Sequence, residues 1–521
     1  MELINMTIGE CLEHRASKSR EKVFLKHGKE IYTWQNVSKI TNELALIFKK
    51  RGMQKGDRIG ILGVNSPSWI FCYFAVVKLG AAAVLVNACC KEREVRECIK
   101  ASKMNFMLYT SGHKGLSYEE MVKNLKTHRD SQNVEYIYTE KTNQEWKQLT
   151  LPENYSEAEM PRVDCRELAS VLFTSGTTGH IKGVKLSHHS MVNNAKAIVE
   201  KLRWENDDCM CLAVPLFHCF GVTVSLISSL IAGCSVVVLE KYNTLDVCRA
   251  VQNEKCTIFN GVPSMFLAML NNEKIKDYRL DSLRSGIIAG SPIYEDDYKD
   301  ICGMLKNIRL QTAYGLTETS PCVSISDYDA PIELKAANAG RVMEHVQVKI
   351  IDDRTGESCA VNEQGEICVK GYNLTIGYLN CSGEECEAIE DDGWLKTGDI
   401  GYFDEDGYLH IVCRKKNIII TGGENISPDE ITRFIRDASG RKEVFVFGIK
   451  SGVLQEEIAS CIEGKENAGE LNKIKKYLDE NLSRYKIPKH FVFLEKMPRN
   501  STGKLDEKKI KALVLEKLNV R

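Results

Sequence analysis

Helix-length and strand-like segments alternate through most of this 521-residue chain, and that alternation restricts the fold more than any other property. "SPSWIFCYFAVVKLGA" (66–81) reads as a helix and "AVLVN" (83–87) as a strand. "TLDVCRAVQNEKC" followed by "TIFNGV" repeats the pair, and "LRSGIIAGSPI" supplies a further strand. Such a βαβ rhythm calls for mainly parallel sheets with helices on their faces. From about residue 340 the texture changes. "GRVMEHVQVKIIDDRTGE", "GEICVKG" and "DEDGYLHIV" look like short antiparallel strands joined by Gly/Asp turns. A smaller α+β tail follows from about 414, with "EVFVFGIK", "EIASCIEG" and "HFVFLEK" as strands and "AGELNKIKKYLDENL" as an amphipathic helix. The polar stretch 140–164 is expected to be a surface loop.

Lys+Arg (70) and Asp+Glu (71) nearly cancel, so no global field draws nucleic acid or anionic lipid. The 20 cysteines are scattered, with no CxxC pair and no His/Cys cluster at zinc spacing. They are expected to be reduced small hydrophobes. The longest uncharged run, "FGVTVSLISSLIAGCSVVVL" (220–239), raises a transmembrane question. Ala232-Gly233-Cys234 divides it into a helix-length piece and a β-branched piece, so a buried helix followed by a strand is expected. With no span and no export-signal pattern at the start, a cytoplasmic location is expected.

The densest run of glycines and hydroxyls is "FTSGTTGHIKGVKLSHHS" (173–190). Leu168 to Phe173 is strand-like, and Ser187 can cap a helix beginning near His188. Between them lie Thr174-Ser175-Gly176-Thr177-Thr178-Gly179, with Lys182 close behind. Glycines let backbone N–H groups turn toward one centre, which makes an anion cradle, and a lysine adds charge. The pattern suits a polyphosphate. It is not a Walker loop, because His180 follows Gly179 and the chain continues as a strand.

Four other segments bear on the same chemistry. "YGLTE" (314–318) joins an aromatic that can stack on a purine to a carboxylate suited to Mg²⁺ near phosphates. "TGD" (397–399) offers an acid for a ribose diol. "CRKKNIII" (413–420) puts Arg414 where the texture shifts, and "PRNSTGK" (498–504) ends a Pro/Ser/Gly loop in a lysine.

Together and in this order, these motifs resemble those of the acyl-adenylate-forming superfamily, in its acyl-CoA synthetase branch, from about residue 8 to 515. The resemblance implies an α/β fold. A large N-terminal portion, 1–413, holds two βαβ subdomains plus a small β-barrel, and a smaller α+β C-terminal lid domain spans 414–521, hinged near Arg414 to Lys416. It implies that a carboxylic acid and ATP give acyl-AMP and pyrophosphate, after which the acyl group passes to a thiol. By the same resemblance, Thr174 to Gly179 and Lys182 hold the outer phosphates and Glu318 binds Mg²⁺. Thr317 touches the α-phosphate. Tyr314 stacks on adenine beside Gly315, with Gly290 and Ser291 on the other side. Asp399 takes the ribose hydroxyls, helped by Arg414. Lys504 reaches in from the lid to bridge the carboxylate and the α-phosphate.

Two positions depart from the family's pattern. Ile181 stands where a proline usually precedes the loop lysine, which predicts looser phosphate binding, since proline only stiffens that turn. Asn417 stands where an aspartate often follows the hinge. In "PLFHCFG" (215–221), His218 matches the residue that walls off the acyl pocket and moves for the thiol. Amino-acid-activating relatives follow that position with Asp; here it is Cys219. A buried ammonium without a counter-charge is costly, so an aliphatic or simple aryl acid is favoured over an α-amino acid. CoA is the expected acceptor, with a separate acyl carrier protein as the alternative.

Overall fold

The structure, a computed structural model, describes residues 1–113, 115–142, 145–146, 160–175, 181–291, 293, 295–352, 355–379, 384–386, 388–414, 419–426, 428–441, 443–498 and 505–518. Two large sheets, of nine and eight strands, carry the first two thirds of the chain. In the nine-stranded sheet, Val23–His27, Ser235–Val238, Cys209–Leu212, Ile258–Phe259, Ser285–Ile288 and Arg309–Gly315 run parallel to their neighbours. Antiparallel strands Glu30–Thr33 and Cys322–Ile325 flank that block. The eight-stranded sheet is parallel through Leu168–Ser175, Ala82–Val86, Arg58–Leu62, Phe106–Tyr109 and Glu135–Tyr138, and turns antiparallel at Ile181–Ser187. The expected βαβ rhythm is therefore present, with antiparallel strands at the margins.

One hydrophobic core joins the two sheets through helix Pro67–Lys78. Ser66 starts this helix by accepting from Trp69 N at 3.1 Å, and Pro67 occupies a first-turn position where its missing N–H costs nothing. All twelve of its residues are buried, which explains why the segment is apolar all round and not on one stripe. The run 220–239 folds as expected in outline. Phe220–Ile227 and Ser228–Ala232 form one continuous helical segment, Gly233 ends it in the left-handed region, and Ser235–Val238 is a strand. Among the described residues no helix is long and apolar enough to cross a membrane.

The antiparallel segments after 340 form a four-stranded meander: Val346–Ile351, Gly365–Gly371, Leu395–Phe403 and Leu409–Arg414. This meander stands in the place of the expected small β-barrel, and its apolar face, Ile367, Val369, Leu395 and Leu409, packs on the main core. The C-terminal domain has a sheet of its own, including Ile419–Thr421, Val444–Ser451, Gln455–Glu463 and His490–Leu494. Separate apolar clusters cover its two faces, one under helices Pro428–Ser439 and Ala468–Asn481 and the other under Glu507–Lys517. The cysteines whose side chains are described are free. In the stretch 140–164, Lys141–Thr142 pairs with Glu145–Trp146; residues 143–144 and 147–159 lie outside the described residues.

Candidate active site

A cleft of about 610 Å³ opens between the large sheets, the meander and the C-terminal domain. Much of its wall comes from the carboxyl ends of strands, where α/β sheets commonly take ligands. Thr174 ends one strand and Lys182 opens the next, and the two face each other across the antiparallel pair. Gly290 follows the strand Ser285–Ile288. Tyr314 and Gly315 end the strand Arg309–Gly315, and Thr317 and Glu318 sit in the short 3₁₀ turn after it. Gly315 has to be glycine, because a Cβ there would meet the Pro321 carbonyl oxygen at 1.9 Å.

The expected residues are thus largely brought together, with exceptions. Asp399 does not line the cleft. It is buried behind Tyr314, whose hydroxyl donates to Asp399 Oδ2 at 2.8 Å. Ser291 also stands outside the lining and donates to Gln455 Oε1 of the C-terminal domain at 2.5 Å. Gly176 to Gly179, Lys416, Asn417 and Lys504 lie outside the described residues. For Ser175 and Arg414 only the backbone is described: Ser175 pairs with Ile181, and Arg414 pairs with Asp399.

Tyr378 was not anticipated. Its ring centroid lies 5.0 Å from Lys182 Nζ, and its hydroxyl donates to Glu318 Oε1 at 3.1 Å. Burial and the Glu318 charge push the phenol upward, so it stays a donor. Tyr378 therefore links the lysine of the glycine loop to the carboxylate of the YGLTE turn, two segments 136 positions apart in numbering from 182 to 318. The dipeptide Gly377-Tyr378 carries no signal of this in the sequence. It reaches the site because its strand pairs with the strand of Lys182.

The C-terminal domain supplies the other unexpected group. Glu424 Oε1 lies 2.9 Å from His218 Nε2, across the domain boundary. Burial opposes a charge on the imidazole, but the carboxylate outweighs it and raises the histidine. Burial likewise disfavours the carboxylate's charge, and His218 followed by Lys486 brings it below its ordinary value. Beside Glu424, Gly423 packs against Val262. The run "TGGENISP" (421–428) could have flagged these positions, since paired glycines before an acid mark a tight approach.

An apolar wall of Val214, Phe217, Phe220, Val224, Met265 and Ile287 completes the cleft. Phe220 and Val224 belong to a π-helix, Phe220–Ile227, where the Ser225 hydroxyl donates to the Phe220 carbonyl at 3.1 Å. The wider winding turns both side chains to the wall, and such winding is frequent at functional sites. Burial pushes the Cys219 thiol up to about 11, so this position presents a neutral group.

The AMP-binding enzyme family matches this sequence over residues 12–379. The chain belongs to that family. Within it, the chain is similar to acyl-CoA synthetases over its full length. A bovine (Bos taurus) mitochondrial medium-chain acyl-CoA ligase, ACSF2, is 30% identical, covering 100% of this chain and 89% of the relative. The Bacillus subtilis chain YngI, whose name assigns it provisionally to the acyl-CoA synthetases, is 31% identical over 100% of this chain and 99% of its own. Among solved structures, an o-succinylbenzoate CoA synthetase of Bacillus subtilis, a double mutant bound with its product analogue OSB-NCoA, superposes with a TM-score of 0.82 at 26% identity, covering 98% of each chain. The protein is an AMP-forming acid–CoA ligase of this family, with a large N-terminal domain and a smaller C-terminal one.

Proposed function

We propose that this ligase activates an aliphatic or simple aryl carboxylic acid and passes it to CoA, with residues 1–413 as the adenylating domain and 414–521 as its lid. The observation that carries the reading is the joining of Lys182, Tyr378 and Glu318 at one end of a cleft whose other wall is apolar. A carboxylate attacking an α-phosphate brings anion to anion, so the site must offset that repulsion. Thr174, Lys182 and the glycine loop supply positive charge and donors for the outer phosphates. Thr317 stands beside the α-phosphate. Tyr314 presents its face to adenine with Gly290 and Gly315 alongside, while Asp399, buried behind it, orients that ring through its hydroxyl. Lys504 serves the attacking carboxylate from the other lid orientation.

Among the described residues no group of three or more His, Cys, Asp or Glu could hold a metal. Mg²⁺ needs no such cage; it is commonly held by one or two carboxylates plus substrate phosphates. Glu318, with Tyr378 donating to one of its oxygens, fits that use, and bound Mg²⁺ would neutralise phosphate charge there. Losing a hydrogen bond to a charged group costs about 1.5–3 kcal/mol. Tyr378→Phe is therefore expected to slow adenylation about tenfold or more, read as acid-dependent pyrophosphate exchange into ATP. An unchanged rate would remove Tyr378 from the phosphate end.

The acid's chemistry follows from the wall and from Cys219, a neutral thiol where an α-amino substrate would need a carboxylate. Pyrophosphate release across a panel of fatty, aryl and amino acids, with and without CoA, tests the reading. Release with aliphatic or aryl acids and CoA-dependent thioester is expected. Turnover of amino acids alone, or transfer only to an acyl carrier protein, would overturn it.

The docked lid supports a role in the second step, because the whole-chain likeness with a CoA-analogue complex includes the lid. The His218–Glu424 pair makes that docking pH-dependent. The raised imidazole stabilises docking fully below its ordinary value of about 6.5, and this is lost as pH rises through the raised value. The lowered carboxylate contributes above its ordinary value of about 4.3, and this is lost as pH falls through the lowered one. Acyl transfer from preformed acyl-AMP is expected to decline on the alkaline side, and His218→Gln to flatten that limb. A wild-type profile identical to the variant's would exclude the pair from docking.

A further inference from the structure

The lid meets the large domain a second time along the same cleft, at helix Glu92–Ser102, where Glu94, Glu430 and Lys486 belong to its lining. Lys486 Nζ stands 3.1 Å from Glu94 Oε1 of the large domain and 3.1 Å from Glu430 Oε1 of the lid. The three side chains are only 10, 7 and 8% exposed. Glu94 also accepts from its own helix start, Lys91 N at 3.0 Å, and from the Ser483 hydroxyl of the lid. One carboxylate thus takes donors from both domains. Looser contacts surround it: Lys91 with Asp479 at 3.4 Å, Asn87 Nδ2 donating to the Tyr485 hydroxyl at 3.3 Å, and the Arg93 guanidinium 3.9 Å over the Phe434 ring.

Buried charges are tolerated only when their partners are in place. The large domain contributes Glu94 and the Cys89 carbonyl, which accepts from the Ser483 hydroxyl at 3.1 Å, and the lid contributes Lys486, Glu430 and Ser483. Any lid rotation that separates the domains returns Glu94 to solvent and removes one of the two carboxylates from the ammonium. Glu430 lies in the first turn of helix Pro428–Ser439, where the helix dipole favours its charge, so the lid half holds together by itself. The cluster is therefore satisfied on both sides in one lid orientation. That orientation also carries Gly423 and Glu424 to the cleft.

We propose that Glu94 is a positioning residue which, through Lys486, holds the lid in the orientation for acyl transfer and takes no part in adenylation. This rests on the reading of the docked lid given above. Because the cluster bridges the two domains, weakening it is expected to change how often the lid is docked.

The test uses the full chain with Glu94→Gln and, from the opposite domain, Glu430→Gln, each measured in both half-reactions. For Glu94→Gln, pyrophosphate exchange is expected to stay at the wild-type rate, while acyl transfer from preformed acyl-AMP falls about tenfold in kcat, the order expected for one charge-assisted bond. KM for CoA is expected to hold. Glu430→Gln removes a partner that Lys486 keeps in both lid orientations, so its cost cancels from docking and transfer is expected to stay near the wild-type rate. Lys486→Met should reduce transfer, and adding Glu94→Gln to Lys486→Met should change little, because both act on one contact. A distance distribution between spin labels on the two domains reads the lid directly, with the docked fraction expected to fall in Glu94→Gln and Lys486→Met and to hold in Glu430→Gln. For Glu94→Gln, equal loss in both half-reactions, a raised KM with unchanged kcat, or an unchanged docked fraction would each overturn the proposal. Should wild-type protein show neither half-reaction with any acid, the functional reading fails, while the spin-label distances still decide the latch.

Discussion

Gly423→Val is expected to cut acyl transfer roughly 100-fold or more while leaving adenylation near wild type. A Cβ at Gly423 would meet Val262 Cγ1 at 2.6 Å and Val262 Cβ at 3.1 Å in the docked lid. Val262 is β-branched and stiff at χ1, and it sits at the start of helix Pro263–Leu270, so it cannot give way cheaply. Overpacking of this kind costs about 1–3 kcal/mol or more. Gly423 also has φ +85, where a β-branched residue is strained, but that cost falls on both lid orientations and cancels from the docking equilibrium. Gly422 provides the control. It too has positive φ, +58, yet its Cβ would meet nothing closer than Leu454 at 3.8 Å. Gly422→Asn should therefore keep most of the transfer activity. The measurement is single-turnover thioester formation from preformed acyl-AMP. If both variants lost activity alike, backbone conformation and not the approach to Val262 would be the controlling factor.

Lys504→Ala is expected to do the reverse. Removing one group that stabilises a developing anion costs roughly 10²–10³ in rate, and here the loss should fall on pyrophosphate exchange while transfer from preformed acyl-AMP survives. The expectation follows from the proposed role of Lys504 at the attacking carboxylate in the other lid orientation. It is sharpened by what occupies the cleft in this one: Gly422, Gly423 and Glu424, with Glu430, Tyr485 and Lys486, form the lid's contribution to the wall. Paired with Gly423→Val, it gives two variants with opposite half-reaction profiles. Equal damage to both steps by either variant would refute the division of labour between two lid faces.

The local signals were strong where the chemistry needs special residues. Thr174, Lys182, Gly315 and Glu318 sit in runs whose glycines and hydroxyls have few other uses, and all four reach the cleft. The alternation of helices and strands, the break at Gly233 and the antiparallel texture after 340 were also legible, because each is a periodicity or turn property of neighbouring residues. Which surface the meander covers was not legible: Ile367, Val369, Leu395 and Leu409 pack on the main core, a long-range contact with no local mark.

Tyr378 and Glu94 were missed because neither carries a local mark, and Glu424 because the paired glycines before it do not name its partner. Tyr378 matters because its strand pairs beside Lys182, Glu424 because the lid turns it toward His218, and Glu94 because Lys486 arrives from almost four hundred residues further along the chain. The sequence by itself determined the layered α/β architecture, the strands that bring Thr174 and Lys182 to the cleft and the acid of the YGLTE turn, since those depend on short-range geometry and on residue type. Only the tertiary structure decided which side chains complete the cleft and which face of the lid meets it, because burial and charge pairing are properties of surfaces that become neighbours after folding.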